Sequence, residues 1–114
     1  MREDNKLDYL EMPAGALPST KAFYEQAFGW RFIDYGPDYA AFENAGLDGG
    51  FYADVSDAVA KPLPILYAAD LEAAQARVEA AGGSVVRAIF SFPGGRRFHF
   101  TDPSGNELAV WSEG

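Results

Sequence analysis

At 114 residues, 48% of them hydrophobic, the chain suits one domain that builds its own core without staples. It has no cysteine, which excludes disulfides, a thiolate nucleophile and a zinc–thiolate site. The net charge is −8 and Arg96-Arg97 is the only dibasic pair, so a nucleic-acid partner is not expected.

M-R-E-D-N-K leads into no apolar run of signal-peptide length, and no stretch approaches the ~20 apolar residues of a membrane span. No membrane partner and a cytoplasmic location are therefore expected.

Lys6 to Pro13 reads as a strand with Leu7, Tyr9, Glu11 and Pro13 on one face. Leu10 and Met12 take the other face, the core side. Ala14 to Pro18 is a turn. Ser19 or Thr20 is placed to start a helix, with Pro18 near its first turn. Phe23 with Ala27 and Tyr24 with Phe28 are i,i+4 pairs along it, and Gly29 ends it. Phe23, Tyr24 and Phe28 read as core.

Trp30 to Tyr35 reads as a second strand, with Trp30 and Phe32 in core or interface. Gly36-Pro37-Asp38 is a turn and Tyr39 to Glu43 a third strand. Gly49-Gly50 leads a short fourth strand, Phe51 to Asp54. Val55 to Lys61 is a short linker.

The pattern then restarts. Leu63 to Ala68 is an apolar strand, and Asp70 is a good N-cap for a helix from Leu71 to Ala81. Leu71, Ala74, Val78 and Ala81 form its apolar stripe, and Gly82-Gly83 closes it. Strands follow at Val85–Phe90, Arg96–Thr101 and Glu107–Trp111. Loops separate them at Phe92–Gly95 and Asp102–Gly105, the second with Pro and Gly where a turn needs them.

An offset of 54 lays Leu17 on Leu71, Ala27 on Ala81 and Gly29 on Gly83. The order strand-helix-strand-strand-strand occurs twice, at about 6–54 and 62–112. This predicts an α+β fold of two βαβββ modules within one domain.

The segments A-F-Y-E-Q-A-F-G-W and F-T-D-P-S-G-N-E-L, within this repeated order, resemble the vicinal oxygen chelate superfamily. That superfamily includes glyoxalase I, bleomycin-resistance proteins and extradiol dioxygenases. The resemblance runs from about Leu7 to Trp111. It implies curved mixed sheets around a concave pocket, helices on the convex side, a small organic ligand and a homodimer.

By the same resemblance, the metal positions on the first strand of each half fall on Tyr9 and Leu63. The position on the closing strand falls on Ala109. None is a usual ligand, so no metal cofactor is expected. A divalent metal is the alternative, and it needs a shift of register that makes Glu11 and Glu107 ligands.

Strand parity marks the other candidates. Glu11 shares the face of Tyr9 and is a carboxylate for a cationic ligand or for base chemistry; a rim position, or a pairing with Arg96 or Arg97, is the alternative. Glu107 shares parity with Ala109 and Trp111. His99, the single histidine, lies opposite Phe98 and Phe100 and is the natural acid or base near neutral pH, or else a hydrogen-bonded structural residue. Tyr9, Tyr67 and Trp111 complete an aromatic ligand surface.

Two functions follow. One is a binding protein without metal that holds a small aromatic or cationic compound. The other is a glyoxalase-like lyase or dioxygenase-type enzyme in which Glu11, Glu107 and His99 act as acid and base. No nucleophile elbow or dinucleotide fingerprint is present.

Overall fold

A computed structural model describes residues 2–53 and 61–114. In chain order its elements are β1 (Lys6–Pro13), α1 (Leu17–Phe28), β2 (Arg31–Asp34), β3 (Tyr39–Glu43), β4 (Gly49–Tyr52) and β5 (Leu63–Tyr67), followed by α2 (Leu71–Ala80), β6 (Ser84–Phe92), β7 (Gly95–Thr101) and β8 (Glu107–Ser112). The α+β order is the one the sequence predicts. The expected linker lies, apart from Lys61, outside the described residues. Among the described residues no helix is long and apolar enough to cross a membrane.

The chain divides into two compact units. One is Tyr9–Leu63. The other is Pro64–Gly114 together with the N-terminal residues through Asp8.

In the Tyr9–Leu63 unit the strands run β2-β3-β4-β1, antiparallel except for the parallel β1–β4 pair. Leu10 and Met12 pack with Phe42, Phe51, Tyr24, Trp30 and Phe32, as the alternation of β1 requires. Phe23 and Phe28 depart from expectation at 57% and 63% exposed. Leu17 and Tyr24, seven residues apart, define the buried stripe of α1; Phe23 is about 100° off it and Phe28 is the final residue of the helix.

Helix α1 also starts earlier than Ser19. Ala16 is its N-cap and provides no side-chain bond. Ser19 Oγ and Thr20 Oγ1 instead donate to the Ala16 carbonyl at 3.2 and 2.8 Å, the back-bonding open to hydroxyls inside a first turn. Gly29 ends the helix in the left-handed conformation at φ 74°.

In the other unit the strands run β5-β8-β7-β6, with β5 and β8 parallel. Asp70 caps α2 as predicted, accepting from the Ala73 amide at 3.0 Å. Leu71 and Ala74 pack with Phe98, Val110 and Ala68, and Leu66, Val78 and Phe100 close the cluster. Gly82, rather than Gly83, takes the left-handed turn, at φ 102°.

The β6–β7 loop is shorter than predicted. Phe92 pairs with Gly95 in register, which leaves only Pro93-Gly94 as the turn. Proline then a positive-φ glycine is the requirement of a tight type II turn.

The N-terminal residues belong to this second unit through specific bonds. Asn5 donates its amide to the Tyr67 carbonyl at 2.9 Å, and Asp4 Oδ1 accepts from the Ala69 amide at 2.8 Å.

Candidate functional site

Strands β7 and β8 alternate as expected. Phe98 and Val110 enter the core under α2, which turns His99, Ala109 and Trp111 to the other face. His99 is 5% exposed, and its Nδ1 lies 3.0 Å from Glu107 Oε2. An ionised carboxylate only accepts hydrogen bonds, so neutral His99 carries its proton on Nδ1 and a lone pair on Nε2. Nε2 is buried and has no hydrogen-bond partner among the described residues.

Burial pushes the His99 pKa below its usual value. The hydrogen bond to Glu107 opposes this, and the charges of Arg97 and Arg87 add to it.

Sequence parity did not place Arg87 and Phe90 beside His99. Ideal alternation would put Val85 and Arg87 on one face. The strand β6 instead shifts register between Val85 and Arg87, and again between Arg87 and Phe90. These irregularities leave Val85 opposite Phe100 on the core side and turn Arg87 toward His99 and Phe90 toward Arg97. The Phe90 ring is 5.8 Å from the His99 ring, with the Arg87 guanidinium 4.0 Å over it.

Tyr67 and Trp111 meet edge to face at 5.4 Å. The indole N–H donates to Asp8 Oδ2 at 2.9 Å, and Arg2 lies 4.8 Å over the ring. The Tyr67 hydroxyl donates to Glu113 at 3.3 Å. This aromatic pair is thus tied to the two ends of the chain, which strand parity alone does not foretell.

In the Tyr9–Leu63 unit, Tyr9 and Glu11 share a face as predicted, and Tyr39 links them. Its hydroxyl bonds that of Tyr9 and donates to Glu11 at 3.4 Å. A Cβ on Gly50 would overlap the Tyr39 phenol, so the glycine makes room for the ring. Burial raises the pKa of both phenols, so they remain protonated donors. Tyr39 is absent from the sequence-derived site because its reach depends on the empty space at Gly50. Arg96, one conceivable partner for Glu11, is engaged with Glu72 at 2.7 and 3.2 Å.

At the positions that the resemblance marks for a metal stand a protonated phenol, a leucine side chain and a methyl group, at Tyr9, Leu63 and Ala109. Glu11 accepts from Tyr39, and Glu107 from His99. Among the described residues no three His, Asp or Glu side chains gather as a metal site. Neither a leucine nor an alanine side chain offers a donor to a divalent cation.

Residues 6–110 match the Glyoxalase/Bleomycin resistance protein/Dioxygenase superfamily, and the chain belongs to it. Among curated proteins none matches. Its fold resembles an NAD-dependent benzaldehyde dehydrogenase from Legionella pneumophila, with a TM-score of 0.75 at 14% identity over 93% of this chain and 98% of that one. A methylmalonyl-CoA epimerase from Mycobacterium tuberculosis superposes with a TM-score of 0.74 at 15% identity, over 100% and 91%. The Mn(II)-bound glyoxalase from Novosphingobium aromaticivorans gives 0.67 at 24% identity, with 99% of this chain covering 40% of that one. At these identities the likeness is one of fold.

Proposed function

We propose that this member of the superfamily binds a small organic compound without a metal, on the sheet face that carries Tyr67, His99, Glu107 and Trp111. The observation that carries the reading is the His99–Glu107 pair at 3.0 Å, which leaves Nε2 as a buried acceptor on that face. A buried acceptor without a partner is costly, so a ligand that supplies a donor is favoured. Arg87 and Arg97 lower the His99 pKa by their charge, which disfavours a cation at this position. A neutral aromatic hydroxy compound suits it best: its hydroxyl donates to Nε2 and its ring meets Trp111 and Tyr67. In this reading the protein acts as a homodimer.

The test compares p-cresol with its methyl ether. Binding of p-cresol is expected to quench Trp111 emission and to move the His99 ring resonances. The ether, which lacks the donor, should bind about tenfold more weakly. Trp111→Phe should remove most of the quenching. Equal affinity for the two compounds, or one divalent metal per chain lost on mutating Glu11 or Glu107, overturns the reading.

The same orientation of His99 favours a second reading, a metal-free enzyme in which Nε2 is a general base. Turnover that falls with His99→Gln while binding persists would select it.

A further inference from the structure

We propose a second binding site on the opposite side of the sheet, under α2, that takes a short apolar monocarboxylate. A cavity of about 220 Å³ lies there. Its space comes from small residues: Ala68, Ala74 and Ala81 present only methyl groups. Leu66, Val78 and Phe100 wall it, so its interior is apolar. The groove is open to solvent on one side, and its volume leaves room for a body of about six carbons.

Where the cavity meets solvent its lining changes character. Arg77 and Asn5 stand there, both exposed, and the Arg77 guanidinium donates to Asn5 Oδ1 at 3.0 Å. Asn5 holds a left-handed backbone at φ 65°, a conformation asparagine tolerates better than most residues. Its amide bond to the Tyr67 carbonyl fixes the turn against the sheet. Among the described residues Arg77 forms no ion pair with a carboxylate, since its partner is a neutral amide. Asp4 accepts from the Ala69 amide, and Asp70 caps the helix.

An apolar interior with a guanidinium at its rim complements an amphiphilic anion. The carboxylate of the ligand would meet Arg77 in water while its chain enters among Leu66, Val78 and Phe100. Tyr67 lines this cavity and also belongs to the other face, but His99, Glu107 and Trp111 do not line it, so the response of His99 and Trp111 separates the two proposals.

Titration of ¹⁵N-labelled protein with hexanoate, 1-hexanol and hexylammonium tests it. Hexanoate should shift the amides of Ala74, Val78 and Phe100 and bind about threefold more tightly than the alcohol. Arg77→Gln, on an exposed position, should erase that preference and leave the alcohol unaffected. Ala74→Leu should fill the space and abolish both; if that variant does not fold, the Arg77→Gln comparison decides. Hexanoate shifts confined to His99 and Trp111, or no shifts at all, overturn the proposal. So does an unchanged preference in Arg77→Gln, or hexylammonium binding as tightly as hexanoate.

Discussion

His99 shows how neighbours set the chemistry of a single side chain. Its burial, with Arg87 and Arg97 nearby, favours the neutral ring, and Glu107 only partly offsets that. The folded pKa therefore lies below the unfolded value of 6.5. As pH falls through that value the unfolded chain takes up a proton that the folded chain refuses. Stability is then lost on acidification, beginning at the unfolded pKa and ending at the folded one. Thermal unfolding between pH 7.5 and 5 should show this loss, and His99→Gln should flatten it. Because the chain has one histidine, the ring ¹⁵N signals are unambiguous and should report the Nδ1–H form at pH 7. An imidazolium spectrum at pH 7 would contradict this assignment.

The two helices differ in how their first turns are satisfied, although both open on a buried leucine, Leu17 or Leu71. Asp70 bonds the Ala73 amide, so Asp70→Ala should cost about 1 kcal/mol. Ser19 and Thr20 bond a carbonyl that helix geometry already serves, and Ser19→Ala should be nearly neutral. Ala16 has the extended backbone of an N-cap, at φ −140° and ψ 107°. Ala16→Asp should therefore stabilise α1 by about 1 kcal/mol. Urea unfolding of the three variants checks the set, and a large loss in Ser19→Ala would place the cap where the sequence alone suggested.

For the whole molecule, the prediction concerns assembly. Phe23, Phe28, Ile33 and Leu47 are exposed on the Tyr9–Leu63 unit. The proposed homodimer predicts a mass twice the 12.4 kDa of the chain by light scattering at micromolar concentration. A mass of one chain would refute it.

What the sequence by itself determined was periodic or local. The repeated strand-helix-strand-strand-strand order, the Asp70 cap, the left-handed turn at Gly29 and the facing of His99 away from Phe98 follow from alternation, capping and glycine freedom. The tertiary structure decided what depends on residues distant in sequence or on broken periodicity. The register shifts in β6 bring Arg87 and Phe90 to the His99 face, against simple parity. Tyr39 reaches Tyr9 and Glu11 only because Gly50 lacks a side chain. Phe23 and Phe28 are exposed because the stripe of α1 that meets the sheet is narrower than its run of aromatics. Asp8 and Trp111, 103 residues apart, share a bond that no local pattern encodes, because pairing at that separation is set by the packing of the sheet.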